Sequence, residues 1–206
     1  MKRLSFVFLA AAAALVLTTP LAAQQAPAPA APNTWAVDGA HSSAGFAVKH
    51  LMISTVRGRF AGVSGTVEFD PSDLSTGQAR ISIDTASIDT RDEKRDAHLK
   101  SADFFDVASF PAITFVSRRV QAVKGERFQL VGDLTIKDVT REVVLDVESN
   151  GLQADPWGGQ RAGFSARVAI NRKDFGLGWN VALEAGGVLV GEEVKITLDV
   201  ELIKQA

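Results

Sequence analysis

Three histidines and a complete absence of cysteine set narrow limits on the chemistry this chain can perform. No thiol is available as nucleophile or metal ligand. His41, His50 and His98 do not follow the HxxH or HExxH spacing of a zinc site. The chain contains no GxSxG elbow, phosphate-binding loop or dinucleotide fingerprint, and Gly176-Leu177-Gly178 is too short to count as one. Carboxylates are plentiful, but no pair stands out for acid–base work. What remains is cations set beside aromatics. From Thr90 to Phe115 the chain reads TRDEKRDAHLKSADFFDVASFPAITF, so Arg91, Arg95, His98 and Lys100 precede Phe104 and Phe105. With His50, Arg57, Arg167, Asn171, Arg172 and Asp174 they form the polar set able to meet a ligand's head group. Arginine suits phosphate or pyrophosphate because its planar fork binds two oxygens at once. Each of these cations has a plainer reading as a surface charge. His41 follows the Asp38-Gly39 turn, and a turn role is sufficient for it.

The same stretch must also form the element that carries those cations. Thr90 and Glu93 have the spacing of a capping box, and Asp92 and Glu93 fall in the first turn, where the helix dipole favours negative charge. Asp96 and Lys100 are four apart, the favourable order for a surface ion pair. Pro111 bars continuation. The pattern predicts one short helix over about residues 91–101. It either plugs one end of the fold as a solvated helix or presents Arg91, Arg95, His98 and Lys100 to the mouth of a cavity.

Elsewhere the pattern is alternation. Phe46–His50, Val56–Phe60, Thr66–Phe69, Ala79–Ile88, Ala112–Gln121, Phe128–Ile136, Glu142–Glu148, Phe164–Ile170 and Val194–Ile203 read as strands, with Trp35–Val37 before them. The fold class is all-β: an eight-stranded antiparallel lipocalin-like barrel with one short helix. About eight strands enclose just enough space for side chains or one ligand. The apolar positions Phe46, Val48, Phe60, Phe69, Phe104, Phe105, Phe115, Phe128, Phe164 and Phe175 either fill the lumen or line it. A lined lumen suits a hydrocarbon chain, since each buried methylene is worth about 0.8 kcal/mol. An outer-membrane barrel wants aromatic girdles, whereas this chain has no tyrosine and 3 tryptophans.

The N-terminus reads as an export signal. Lys2 and Arg3 precede an apolar run, Leu4–Leu17, too short to span a bilayer comfortably. We expect a signal peptide over residues 1–23, an Ala/Pro-rich linker over 24–33 and the barrel over 34–206. Without Lys2 and Arg3 the chain holds 20 basic against 24 acidic residues. That mild acidity argues against a nucleic-acid partner.

The segment Arg95, Asp96, His98, Leu99, Ser101, Asp103, Phe104, Phe105, Asp106, Val107, Pro111, Ile113 and Phe115 resembles the YceI-like family of periplasmic lipid-binding proteins. The opening from Trp35 through Val37-Asp38, His41-Ser42, Phe46 and Val48 to His50-Leu51 is similar to the family's opening. So are Gly132–Ile136 with Val139-Thr140, Ala162–Phe164, Ile170–Arg172 with Asp174–Gly176, and Glu193-Val194 with Ile196. Asp138 departs from the family's frequent glycine, and aspartate tolerates the left-handed turn conformation. The resemblance implies a periplasmic barrel that carries or sequesters a polyisoprenoid or similar amphiphile, such as a polyprenyl pyrophosphate, a prenylated quinone or a fatty amide. It implies no other cofactor, no stable membrane insertion and a homodimer. The head group would lie near His50, Arg95, His98 and Arg172. The alternative is a secreted enzyme acting on a lipid-like substrate, with His98 or His50 as general base.

Overall fold

The computed structural model describes residues 33–156, 158–184 and 186–205. The expected signal peptide, and the linker up to residue 32, lie outside the described residues. Period-two apolar patterning yields eleven strands: β1 (Thr34–Val37), β2 (Ser43–His50), β3 (Ser54–Phe60), β4 (Val63–Asp70), β5 (Asp73–Asp84), β6 (Ile88–Asp89), β7 (Ala112–Lys124), β8 (Arg127–Ile136), β9 (Val139–Ala154), β10 (Gln160–Asn171) and β11 (Val190–Lys204). Eight of them close a ring in the order β1-β4-β5-β7-β8-β9-β10-β11, with β11 pairing back onto β1. Every pairing is antiparallel, as expected of an up-and-down barrel. One edge of β11 is shared. β1 covers residues 202–204, and β2 covers 190–199, carrying β3 and β6 outward from it.

The barrel has two unlike ends. Asp84↔Ala112, Ile136↔Val139, Asn171↔Glu193 and Val190↔His50 bring together the 51–53 turn, the 85–111 crossover, the 137–138 turn and the 172–189 segment. This is the loop end. At the opposite, sealed end Trp35, Phe69, Ala162 and Leu202 form a separate buried cluster. Trp35 stacks on Phe69 at 5.0 Å between ring centroids, and Phe69 meets the edge of Phe164 at 5.3 Å.

The one α-helix among the described residues, α1 (Glu93–Lys100), lies where the sequence places it, but its cap differs. Asp92, not Thr90, is the N-cap, its carboxylate accepting the Arg95 N–H at 3.0 Å. The cause is Arg91, whose φ of 60° turns the chain sharply between Thr90 and the helix. Thr90 is thereby buried: its N–H and hydroxyl both donate to Asp96. Asp96 thus serves the helix start rather than an ion pair with Lys100. The β8–β9 hairpin survives without the family's glycine, although Lys137 rather than Asp138 takes the left-handed position, with φ 57°.

Candidate functional site: an apolar tunnel

Inward-facing residues of the strands, together with Leu99, Phe104 and Phe105 from the crossover, enclose a tunnel of about 240 Å³. Phe46, Val48, Phe60, Phe69, Phe115 and Phe164 line it as the alternation requires. Two inward glycines make room for rings to cross. A Cβ at Gly58 would stand 2.4 Å from Phe46 Cζ, and one at Gly132 would stand 2.5 Å from Phe115 Cζ. Among the described lining residues only Gln78 and Arg172 bring polar side chains. Such a lumen can solvate a hydrocarbon and offers almost nothing to a polar solute.

Of the expected head-group residues, the structure brings only Arg172 to the tunnel wall. Arg172 is 3% exposed, and no ion pair balances it among the described residues. Its Nε–H donates to the Gly191 carbonyl at 2.9 Å, while Nη1 serves Leu177 and Trp179 and Nη2 serves Val190. Burial pushes its pKa down, partly opposed by the Glu192 carboxylate. The side chain therefore clamps the two ends of the 177–191 segment across the loop end while leaving a positive charge beside an apolar lumen.

The remaining predicted residues lie elsewhere. His50 shares the inner face of β2 with Val48 but sits at the rim, half-buried. Arg57 and Arg167 are exposed on the outer face, opposite Ala47 and Thr197 in the ladders. Arg95 binds the hydroxyl and carbonyl of Thr90 at 2.8 and 2.9 Å. Asn171 caps the short turn Arg172–Phe175 through the Lys173 N–H. Phe175 is buried beneath that turn and does not line the tunnel. His98 pairs with Asp103 at 2.9 Å and meets the Phe104 and Trp179 rings edge-on.

Sequence reasoning missed Trp179 and Asn180. Asn180 accepts from the Val190 N–H at 3.0 Å and donates to its carbonyl at 2.7 Å, pinning the segment that Arg172 clamps. The available signal was a tryptophan following Gly176-Leu177-Gly178, a glycine-rich turn over an apolar barrel. Asp38, His41 and Glu201 also converge closely enough to hold a cation. Arg161 already supplies one, binding Asp38 and Asp155 at 2.6 Å each and Glu201 as well.

A family model described as the YceI-like domain matches residues 35–202. A UPF0312 protein of Staphylococcus aureus strain MSSA476 is 46% identical over 165 residues, covering 80% of this chain and 94% of that one. The crystal structure of Burkholderia cenocepacia BcnA superposes with a TM-score of 0.70 at 28% identity, over 80% of this chain and 98% of that chain. A polyisoprenoid binding domain from Saccharophagus degradans reaches 0.64 at 15% identity, over 84% and 98%, a likeness of fold alone.

Proposed function

The chain belongs to the YceI-like family, and from that premise we propose that it binds a polyisoprenoid or similar amphiphile, with the apolar chain inside its barrel. The observation that carries this reading is the tunnel: a closed barrel whose lumen is lined rather than filled, with polar side chains, among the described residues, only from Gln78 and Arg172. The Saccharophagus degradans domain, which shares the fold, is named for polyisoprenoid binding and lends support. Burial of methylenes at about 0.8 kcal/mol each supplies affinity, and the Arg172 charge favours an electron-rich head group at the loop end. We read the protein as a periplasmic carrier or sequestering protein rather than an enzyme, exported through residues 1–23 and acting as a homodimer. Among the described residues no helix is long and apolar enough to cross a membrane.

Native mass spectrometry of protein taken from its own cell envelope, with extraction of the bound species, tests the reading directly. A stoichiometric prenyl lipid or other long-chain amphiphile is expected. Ala166→Phe, which puts a ring into the lumen from the middle of β10, should fold and lose that species. Bare wild-type protein that also refuses added prenyl lipids would remove the proposal. Turnover of a lipid ester that disappears in His98→Gln would instead favour the enzyme. Light scattering on the purified protein checks the dimer.

A further inference from the structure

The ladder stops short along two seams of the wall, between β5 and β7 beyond Arg80↔Val116 and between β9 and β10. β9 and β10 pair from Gln160↔Ala154 to Arg167↔Asp146 and no further. Each nevertheless continues to pair with its other neighbour, β9 with β8 down to Ile136↔Val139 and β10 with β11 up to Asn171↔Glu193. The facing stretches, 139–145 and 168–171, therefore diverge and leave a wedge of about 440 Å³. Val143, Val168 and Ile170 line both this wedge and the tunnel, so the two cavities share a wall. Phe175, 2% exposed, fills the seam at the loop end.

We propose that this wedge is a second ligand site continuous with the tunnel, a lateral portal that admits the apolar chain of an amphiphile, with Phe175 as its stopper. The inference rests on the binding function proposed above and deepens it. Volume gives the first reason. Ligand pockets commonly measure about 300–1,000 Å³, and a tunnel of about 240 Å³ is short of room for a long chain. The wedge is the adjoining space into which the lumen can widen. Energetics gives the second. Where neighbouring strands are laddered, opening the wall would break backbone hydrogen bonds. Between β9 and β10 no ladder joins 139–145 to 168–171, and the buried side chains of Val143, Ile170 and Phe175 help to close the seam, so local opening costs less there than at a laddered strand pair. The outward rim carries Glu142, Asn171 and Asp174, which leaves a polar head group in water while the chain passes inward.

The native chain has no cysteine, so single thiols can be placed cleanly. Ala169→Cys lies exposed on the seam, and Met52→Cys lies exposed on the 51–53 turn of the loop end. Each is capped with the same bulky maleimide, and uptake of dansyl-labelled geranylgeranyl diphosphate is followed by stopped-flow fluorescence. The cap at 169 should slow uptake by at least about ten-fold and the cap at 52 by less than about two-fold, as gating of access would require. Phe175→Leu, which keeps an apolar side chain, should speed uptake and release together. Equal rates for the two capped proteins, or greater slowing by the cap at 52, would overturn the portal while leaving the binding function intact. Uncapped protein that takes up no probe would overturn both.

Discussion

The two ends of the barrel are built on opposite principles. At the sealed end, apolar rings stack on one another and a guanidinium is surrounded by carboxylates: Trp35, Phe69 and Leu202 pack beneath Arg161, Asp38, Asp155 and Glu201. At the loop end, α1 buries none of its residues, and the buried cation, Arg172, is met by carbonyls. Leu51, Met52 and Ile53 stand out into solvent there, Ile53 at 83% exposure, with Leu51 and Met52 both in left-handed backbone. Side chains of that size take positive φ only where the surroundings impose it. The contrast teaches where stability and function are separated. One end is fixed by redundant packing and charge; at the other, Arg172 and Asn180 pin the 177–191 segment through main-chain groups.

The largest test of that contrast is truncation of Trp35. The side chain is fully buried, so Trp35→Ala should cost about 3–5 kcal/mol in urea unfolding. Lys94→Ala on the exposed face of α1 should stay within about 0.5 kcal/mol. Trp35→Phe sharpens the point. Trp35 Nε1 is buried without a partner among the described residues, so losing it removes a desolvated donor and offsets part of the lost packing. Comparable losses from Trp35→Ala and Lys94→Ala would erase the distinction between the ends.

Next in size is Arg172→Met. It leaves the Leu177, Trp179, Val190 and Gly191 carbonyls without this donor, at a cost of about 2–3 kcal/mol. The loss should appear first as local hydrogen exchange in 177–191, with the Trp35 cluster still protected. Uniform loss of protection would mean that the loop end is part of one cooperative unit.

These two tests also separate what the sequence made legible from what it did not. The barrel could be read because period-two alternation fixes which face is apolar, and Phe46, Phe60, Phe115 and Phe164 all turn inward on that rule alone. The helix could be read from its charges and Pro111. Its cap could not, because the φ of Arg91 is imposed by the surrounding fold and no residue type announces it. The polar site was least legible. Charge says nothing about facing, so Arg57 and Arg167 resemble Arg172 in sequence, yet strand phase sends them outward. The clamp around 177–191 depends on main-chain carbonyls, which every residue carries alike.

A smaller effect is expected from Arg161→Met at the sealed end. It gathers Asp38, Asp155 and Glu201 without their shared cation, and like charges then repel. The unfolding midpoint should fall near neutral pH and recover as the carboxylates are protonated in acid. An unchanged midpoint at neutral pH would show that packing alone holds this end.

The smallest and most specific effect belongs to His41, which is exposed and pairs with Asp38 at 2.9 Å. The hydrogen bond to the Asp38 carboxylate raises the His41 pKa above its usual value. The folded chain thus holds this proton more tightly than the unfolded chain does. The stabilisation is complete below the unfolded value of about 6.5 and is lost as pH rises through the folded one. Asp38 works in the other direction. Its hydrogen bonds to His41 and then Arg161 hold its carboxyl well below the usual range, so its contribution persists above the unfolded value of 3.8 and fades only in stronger acid. His41→Ala should therefore lower the unfolding midpoint at a pH of about 5.5 and leave it unchanged at about 9, and added salt should shrink the difference. Because Arg161 neutralises the same Asp38 oxygen, the decrement should stay below that of Arg161→Met. An equal decrement at both pH values would assign His41 to packing and leave Arg161 as the cation that holds the carboxylates of the sealed end together.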